Sequence, residues 1–178
     1  FENDPRVLYL SSHQSPLYPD SGLECEIGVG NIVNAPLPPG SDGAMFRAAW
    51  QHRLLPALDA FAPQLLLVSA GFDGHRLDPL ADLRLEADDY HWLSGEIAAS
   101  AGRHAGGRIV SMLEGGYSLS ALRECSVAHL LGLGAWARSR RSSRIRWPLS
   151  VARGLECGPL DFQEMPGAPN QLAFVAAL

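Results

Sequence analysis

Lysine is absent from the 178-residue sequence, and all 14 basic side chains are arginine. With a formal net charge of −5 there is no general basic surface to collect phosphates, which argues against nucleic acid as a partner. Cysteine is scarce as well. Cys25, Cys125 and Cys157 are widely spaced, odd in number and part of no CxxC pair, so neither a disulfide framework nor a zinc knuckle is indicated; buried thiols in a reducing compartment fit better. No stretch approaches the roughly 20 apolar residues of a membrane span, and residues 1–10 carry no basic segment ahead of a hydrophobic core. A cytoplasmic protein with no membrane partner is expected. The six histidines, His13, His52, His75, His91, His104 and His129, include no adjacent pair. What is present is 47% apolar residues against 19% charged, enough for one domain with a sizeable core.

Short apolar runs alternate with amphipathic stretches. Residues 7–10 and 65–70 read as strands buried on both faces, and 108–113 as a third. Between the first two lies a Pro-, Gly-, Ser- and Asn-rich loop over 13–40, with a second short strand near 31–35; loops this long in a compact domain are usually functional. Ser41 or Asp42 can cap a helix running to about Phe61, where Pro63 ends the pattern. A second helix spans 86–104, with Glu86, Asp88 and Asp89 in its first turn, where they suit the dipole. A third starts at Ser118 or Ser120 and reaches about Trp136. This alternation predicts an α/β fold with a mainly parallel sheet. After residue 137 an Arg-rich run (Arg138, Arg140, Arg141, Arg144, Arg146) opens an aperiodic segment, expected to be a loose tail with a short strand, so the chain divides at 1–137 and 138–178. The opening Phe1-Glu2-Asn3-Asp4-Pro5 is turn material leading straight into a strand and reads as the interior of a longer polypeptide.

In parallel α/β sheets the chemistry gathers at the carboxyl ends of the strands. The three exits here carry Ser11-Ser12-His13-Gln14, Ser69-Ala70-Gly71-Phe72-Asp73-Gly74-His75 and Leu113-Glu114-Gly115-Gly116-Tyr117. Asp73, between two glycines, is either a hard oxygen donor for a metal such as Zn²⁺ or a cap for the following turn, and the local sequence alone favours the cap. His75 reads as a supporting or surface histidine rather than a ligand. Tyr117 follows two residues free to adopt unusual backbone angles, which suits a phenol swung into a cleft to stabilise an oxyanion and equally suits an aromatic packed over a strand end.

The block from Ser69 to Leu80, ending Arg76-Leu77-Asp78-Pro79-Leu80, together with Leu113-Glu114-Gly115-Gly116-Tyr117-Ser118-Leu119, resembles two signatures of the zinc-dependent deacetylase superfamily, which takes in histone deacetylases, acetylpolyamine amidohydrolases and acetoin-utilization proteins. The stretch from Pro5 to Gln14, with Tyr18-Pro19-Asp20-Ser21-Gly22 and Asn34-Ala35-Pro36-Leu37-Pro38, looks like the family segment that comes after its first zinc motif. The resemblance covers about residues 1–133. It implies the C-terminal part of a three-layer arginase/deacetylase-like fold, and a hydrolase that removes acetyl groups from protein lysines or acetylated small amines with Zn²⁺. It makes Asp73 a zinc ligand and Tyr117 the catalytic residue that polarises the amide carbonyl. Tyr18, Leu80, Gly115 and Gly116 would border the substrate tunnel, and Ser11 with the Ser12 carbonyl would hold a monovalent cation such as K⁺. The family's His-His pair and Asp-x-His motif precede the segment with which this chain begins, so its N-terminal half is expected to be missing and the zinc ligand set to be incomplete. The alternatives are an inactive truncated or degenerate homologue and a module that binds an acyl ligand without hydrolysis.

Overall fold

In the computed structural model, which describes residues 1–139 and 171–177, the apolar run after Pro5 forms β1 (Val7–Gln14), four residues longer than the expected strand. Its polar end stays extended because its side chains are satisfied. The Trp50 indole N–H donates to Ser12 Oγ at 3.1 Å, and Gln14 Oε1 accepts from the Asp82 N–H at 2.6 Å. β2 (Ile32–Leu37), β3 (Leu65–Ala70) and β4 (Ile109–Leu113) fall close to expectation.

β5 (Leu172–Ala177) is the short strand expected in the tail, but it is not peripheral. The strand order is β2-β1-β5-β3-β4 with every neighbouring pair parallel, so the last strand in sequence lies at the centre of the sheet. Leu-Ala-Phe-Val-Ala-Ala carries no polar side chain, as suits a strand flanked on both edges. Residues 140–170, with most of the Arg-rich run, lie outside the described residues.

Asp42 caps α1 (Gly43–Ala49), its carboxylate accepting the Met45 N–H at 3.0 Å. The single helix expected up to Phe61 is interrupted by a π-helical turn, Trp50–Leu54, before α2 (Leu55–Phe61). Pro56 supplies a local cause, since it has no N–H to return to the carbonyl four residues back. α3 (Ala87–His104) begins with a capping box, Glu86 and Asp89 each accepting the other's backbone N–H. α4 (Leu119–Ser139) follows β4 and contains the expected division at residue 137.

The α3/α4 crossing positions the residues beside the site. Phe72 stacks edge-on against Tyr90 of α3 and His129 of α4, with centroids 5.2 and 5.9 Å away. His129 is itself fixed. Ser94 Oγ donates to the Tyr90 carbonyl at 2.5 Å, so it accepts from His129 Nδ1 at 2.6 Å, leaving Nε2 to accept from the Ser111 hydroxyl at 2.8 Å. This ring is neutral, and burial holds its pKa below the ordinary histidine value. The crossing is close enough that a Cβ on Gly132 would collide with the His91 carbonyl and stand 2.7 Å from Ser94 Cβ. Gly132→Ala should therefore cost about 1–3 kcal/mol, as overpacking usually does, despite alanine's better helix propensity. Chemical denaturation checks this, and a stabilised variant would show that the crossing is looser than described.

Candidate active site

The loops that leave β3 and β4 are tied together by backbone bonds. The Phe72 N–H donates to the Gly115 carbonyl and the Glu114 N–H to the Ala70 carbonyl, both at 3.0 Å. This brings Gly115 against Asp73, where a Cβ would stand 2.5 Å from Oδ1. Gly116 has φ 124°, and a Cβ there would also press on Leu122 and Phe72 at 3.2 Å. Both positions thus require glycine, one for space and one for conformation and space.

Asp73 Oδ1 is buried with no hydrogen-bond partner. Burial pushes the carboxyl above its ordinary value; its own backbone N–H opposes that shift, and the Asp78 charge adds to it. Oδ1 itself caps no N–H; it is a buried acceptor without a protein donor, the condition a cation would relieve.

Asp73 lines a cavity of about 310 Å³ shared with Ser11, His13, Tyr18, Asn34 and Leu83. His13 has both ring nitrogens engaged. Nε2 lies 3.0 Å from the Gly22 carbonyl, which can only accept, so Nε2 carries the proton and Nδ1 accepts from Ser11 Oγ at 2.9 Å. Burial lowers its pKa, partly opposed by the Gly22 carbonyl. Gly22, with φ 89°, leaves no room for a Cβ beside that ring. Asn34 pins the far side of the loop by donating to the Leu23 and Glu26 carbonyls at 3.1 and 3.2 Å.

Of the residues singled out in the sequence, Asp73, Ser11 and Tyr18 share this cavity, with Tyr18 91% exposed. Ser12 is buried behind it, its hydroxyl taken by Trp50. Tyr117 and Leu80 are 59% and 56% exposed and, like Gly115 and Gly116, stand outside the cavity lining. Tyr117 nonetheless sits two residues beyond the Gly115–Asp73 contact, at the neighbouring strand end. His75 is not a surface residue. It is buried, Nδ1 accepts the Leu77 N–H at 3.2 Å, and Nε2 faces Glu86 Oε2 at 3.6 Å. Among the described residues no three His, Cys, Asp or Glu side chains converge to hold a metal ion.

Local sequence assigns no role to Asp78 or His13. Asp78 stands only within the Ser69–Leu80 block, and His13 is one polar residue at a strand exit. Each is marked by its hydrogen-bond partners, most of them distant in sequence, which neighbouring residues in the chain do not display.

The Asp73 shift has a sign that can be checked. A carboxyl whose folded pKa is raised favours folding while protonated, and that stability is lost as the pH rises from the unfolded value of 3.8 through the folded one. In chelator-treated protein, Asp73→Asn should therefore melt above the parent at neutral pH, with the gain shrinking as the pH falls toward 3.8. A variant less stable than the parent at neutral pH would mean that the carboxylate is a satisfied structural group.

The histone deacetylase domain model matches residues 1–133. A probable deacetylase of Archaeoglobus fulgidus is 42% identical over 123 residues, 67% of this chain and 34% of that protein. The chloroplastic histone deacetylase 10 of Oryza sativa subsp. japonica is 41% identical over 126 residues, 68% of this chain and 28% of that one. The chain thus spans about a third of the length of these relatives. The crystal structure of an acetylpolyamine aminohydrolase from Burkholderia pseudomallei superposes with a TM-score of 0.69 at 34% identity, over 76% of this chain and 40% of that one. A parallel sheet with flanking helices, the paired loops around Asp73 and a match over three quarters of its length lead to one conclusion: the chain belongs to the histone deacetylase family.

Proposed function

We propose that this chain is part of a zinc-dependent amidohydrolase that removes acetyl groups from lysine side chains or acetylated polyamines. The observation that carries the reading is Asp73 Oδ1, a buried carboxylate oxygen without a partner on a residue that lines a cavity. A hard oxygen donor of this kind fits Zn²⁺, though catalytic zinc takes three protein ligands and Asp73 is one. The remaining ligands are proposed to come from the part of the domain that the relatives have beyond this match. Bound zinc would act as a Lewis acid toward an amide carbonyl and an attacking water.

The residues of this chain have separate tasks in that scheme. Asp73 would supply a negatively charged oxygen ligand to the cation. The Tyr117 phenol donates a hydrogen bond to the carbonyl oxygen as charge develops on it. Tyr18, with its ring exposed beside the cavity, and Leu80 would flank the aliphatic part of an acylated amine, whose chain needs apolar contact and no charge. Ser11, held by His13, would face a monovalent cation with the Ser12 carbonyl.

Tyr117→Phe in the full-length protein removes the hydroxyl and keeps the ring. Turnover of an acetyl-lysine peptide should fall on the order of 100- to 1000-fold, the usual cost of losing an oxyanion donor, with zinc content unchanged. Near-normal turnover would make Tyr117 a structural aromatic, and no acetyl release from peptide or polyamine by the parent would favour the degenerate-homologue alternative.

A further inference from the structure

We infer that Asp78 is a positioning residue that holds Tyr117 and Leu80 on one carboxylate, an inference that rests on the catalytic reading of Tyr117. Asp78 Oδ2 accepts the backbone N–H of Tyr117 at 2.6 Å and of Ser118 at 3.1 Å, while Oδ1 accepts the Leu80 N–H at 3.1 Å. The carboxylate is buried, with the residue 8% exposed, and its own N–H donates to the His75 carbonyl at 2.8 Å. The loop that presents it is closed by two further backbone bonds, Arg76 N–H to Leu85 and Leu85 N–H to Gly74, both at 3.1 Å. Asp78 is therefore a fixed point, and the chain after β4 is attached to it.

Tyr117 needs such a point. The residue before it, Gly116, has φ 124°, and glycine's wide conformational range places no restriction on its neighbour. With 59% of Tyr117 exposed, side-chain packing gives the ring little support. Its direction is set where its backbone is held, and the two N–H groups held there belong to the turn that enters α4. They are donors without a helical partner, and the end of the helix at which they lie favours negative charge. The other oxygen fixes Leu80, so one side chain sets the spacing between the proposed oxyanion donor and the proposed tunnel rim.

The test uses Asp78→Ala and Asp78→Asn in the full-length protein, with amide hydrogen exchange and steady-state kinetics on an acetyl-lysine peptide. In Asp78→Ala, exchange at Tyr117 and Ser118 should accelerate on the order of tenfold relative to the amides of α3, the worth of about one hydrogen bond to a charged group. Turnover should fall with kcat carrying the loss and KM little changed. Asp78→Asn can place its carbonyl oxygen on Tyr117 and Ser118 but not on Leu80 as well, so it should recover exchange protection and most of kcat. Exchange that stays unchanged at both amides, or rises equally in α3, overturns the inference, as does a loss confined to KM. If Asp78→Ala does not fold, faster exchange at the Leu80 amide alone in Asp78→Asn supports it, and unchanged exchange at Leu80 overturns it. If the parent releases no acetate, the functional reading fails by itself, while the exchange rates still decide whether Asp78 holds Tyr117.

Discussion

Where β3 and β4 leave the sheet, two backbone bonds draw their loops together until Gly115 lies against the carboxylate of Asp73. Everything proposed for the site depends on that approach. It strips Oδ1 of water without offering a donor in exchange, and burial accordingly pushes the carboxyl upward. A buried polar group left in this condition is costly, and folds rarely keep one without a use. The same approach sets Tyr117 two residues from the contact, at the neighbouring strand end.

The scaffold behind this contact is unusually specific for a loop. Phe72, next to Asp73, is held between the rings of Tyr90 and His129, and His129 is locked into one neutral tautomer by Ser94 and Ser111. Asp78 then fastens the following loop to the entry of α4. Asp73 Oδ1 thus carries no hydrogen bond of its own, while the residues around it are tied by several. That division keeps one oxygen available while the backbone around it stays fixed.

Much of this is legible in the sequence, for physical reasons that differ by element. The strands at 65–70 and 108–113 are apolar runs bounded by turn residues, and the helix at 86–104 is marked by its acidic first turn and its periodicity. The Gly-flanked Asp73 and the Gly-Gly-Tyr117 exit stand out because only close backbone approach demands such residues. β5 is harder to read. Six apolar residues have no period that separates a central strand from a loose tail, and their place between β1 and β3 is decided by tertiary pairing. The π turn has a local cause in Pro56, masked by otherwise helical spacing, whereas the long β1 escapes a local reading because its partners, Trp50 and Asp82, are distant in sequence. Asp78 and His13 escape it for the same reason, since their roles rest on groups up to 40 residues away.

The proposed function requires Asp73 to be a zinc ligand. Anomalous scattering recorded at the zinc edge from crystals of the full-length protein measures this directly. One strong peak per chain is expected about 2 Å from an Asp73 carboxylate oxygen, the distance of a carboxylate bound to zinc. A full-length structure with no peak there and with Oδ1 hydrogen-bonded to a protein donor would contradict it.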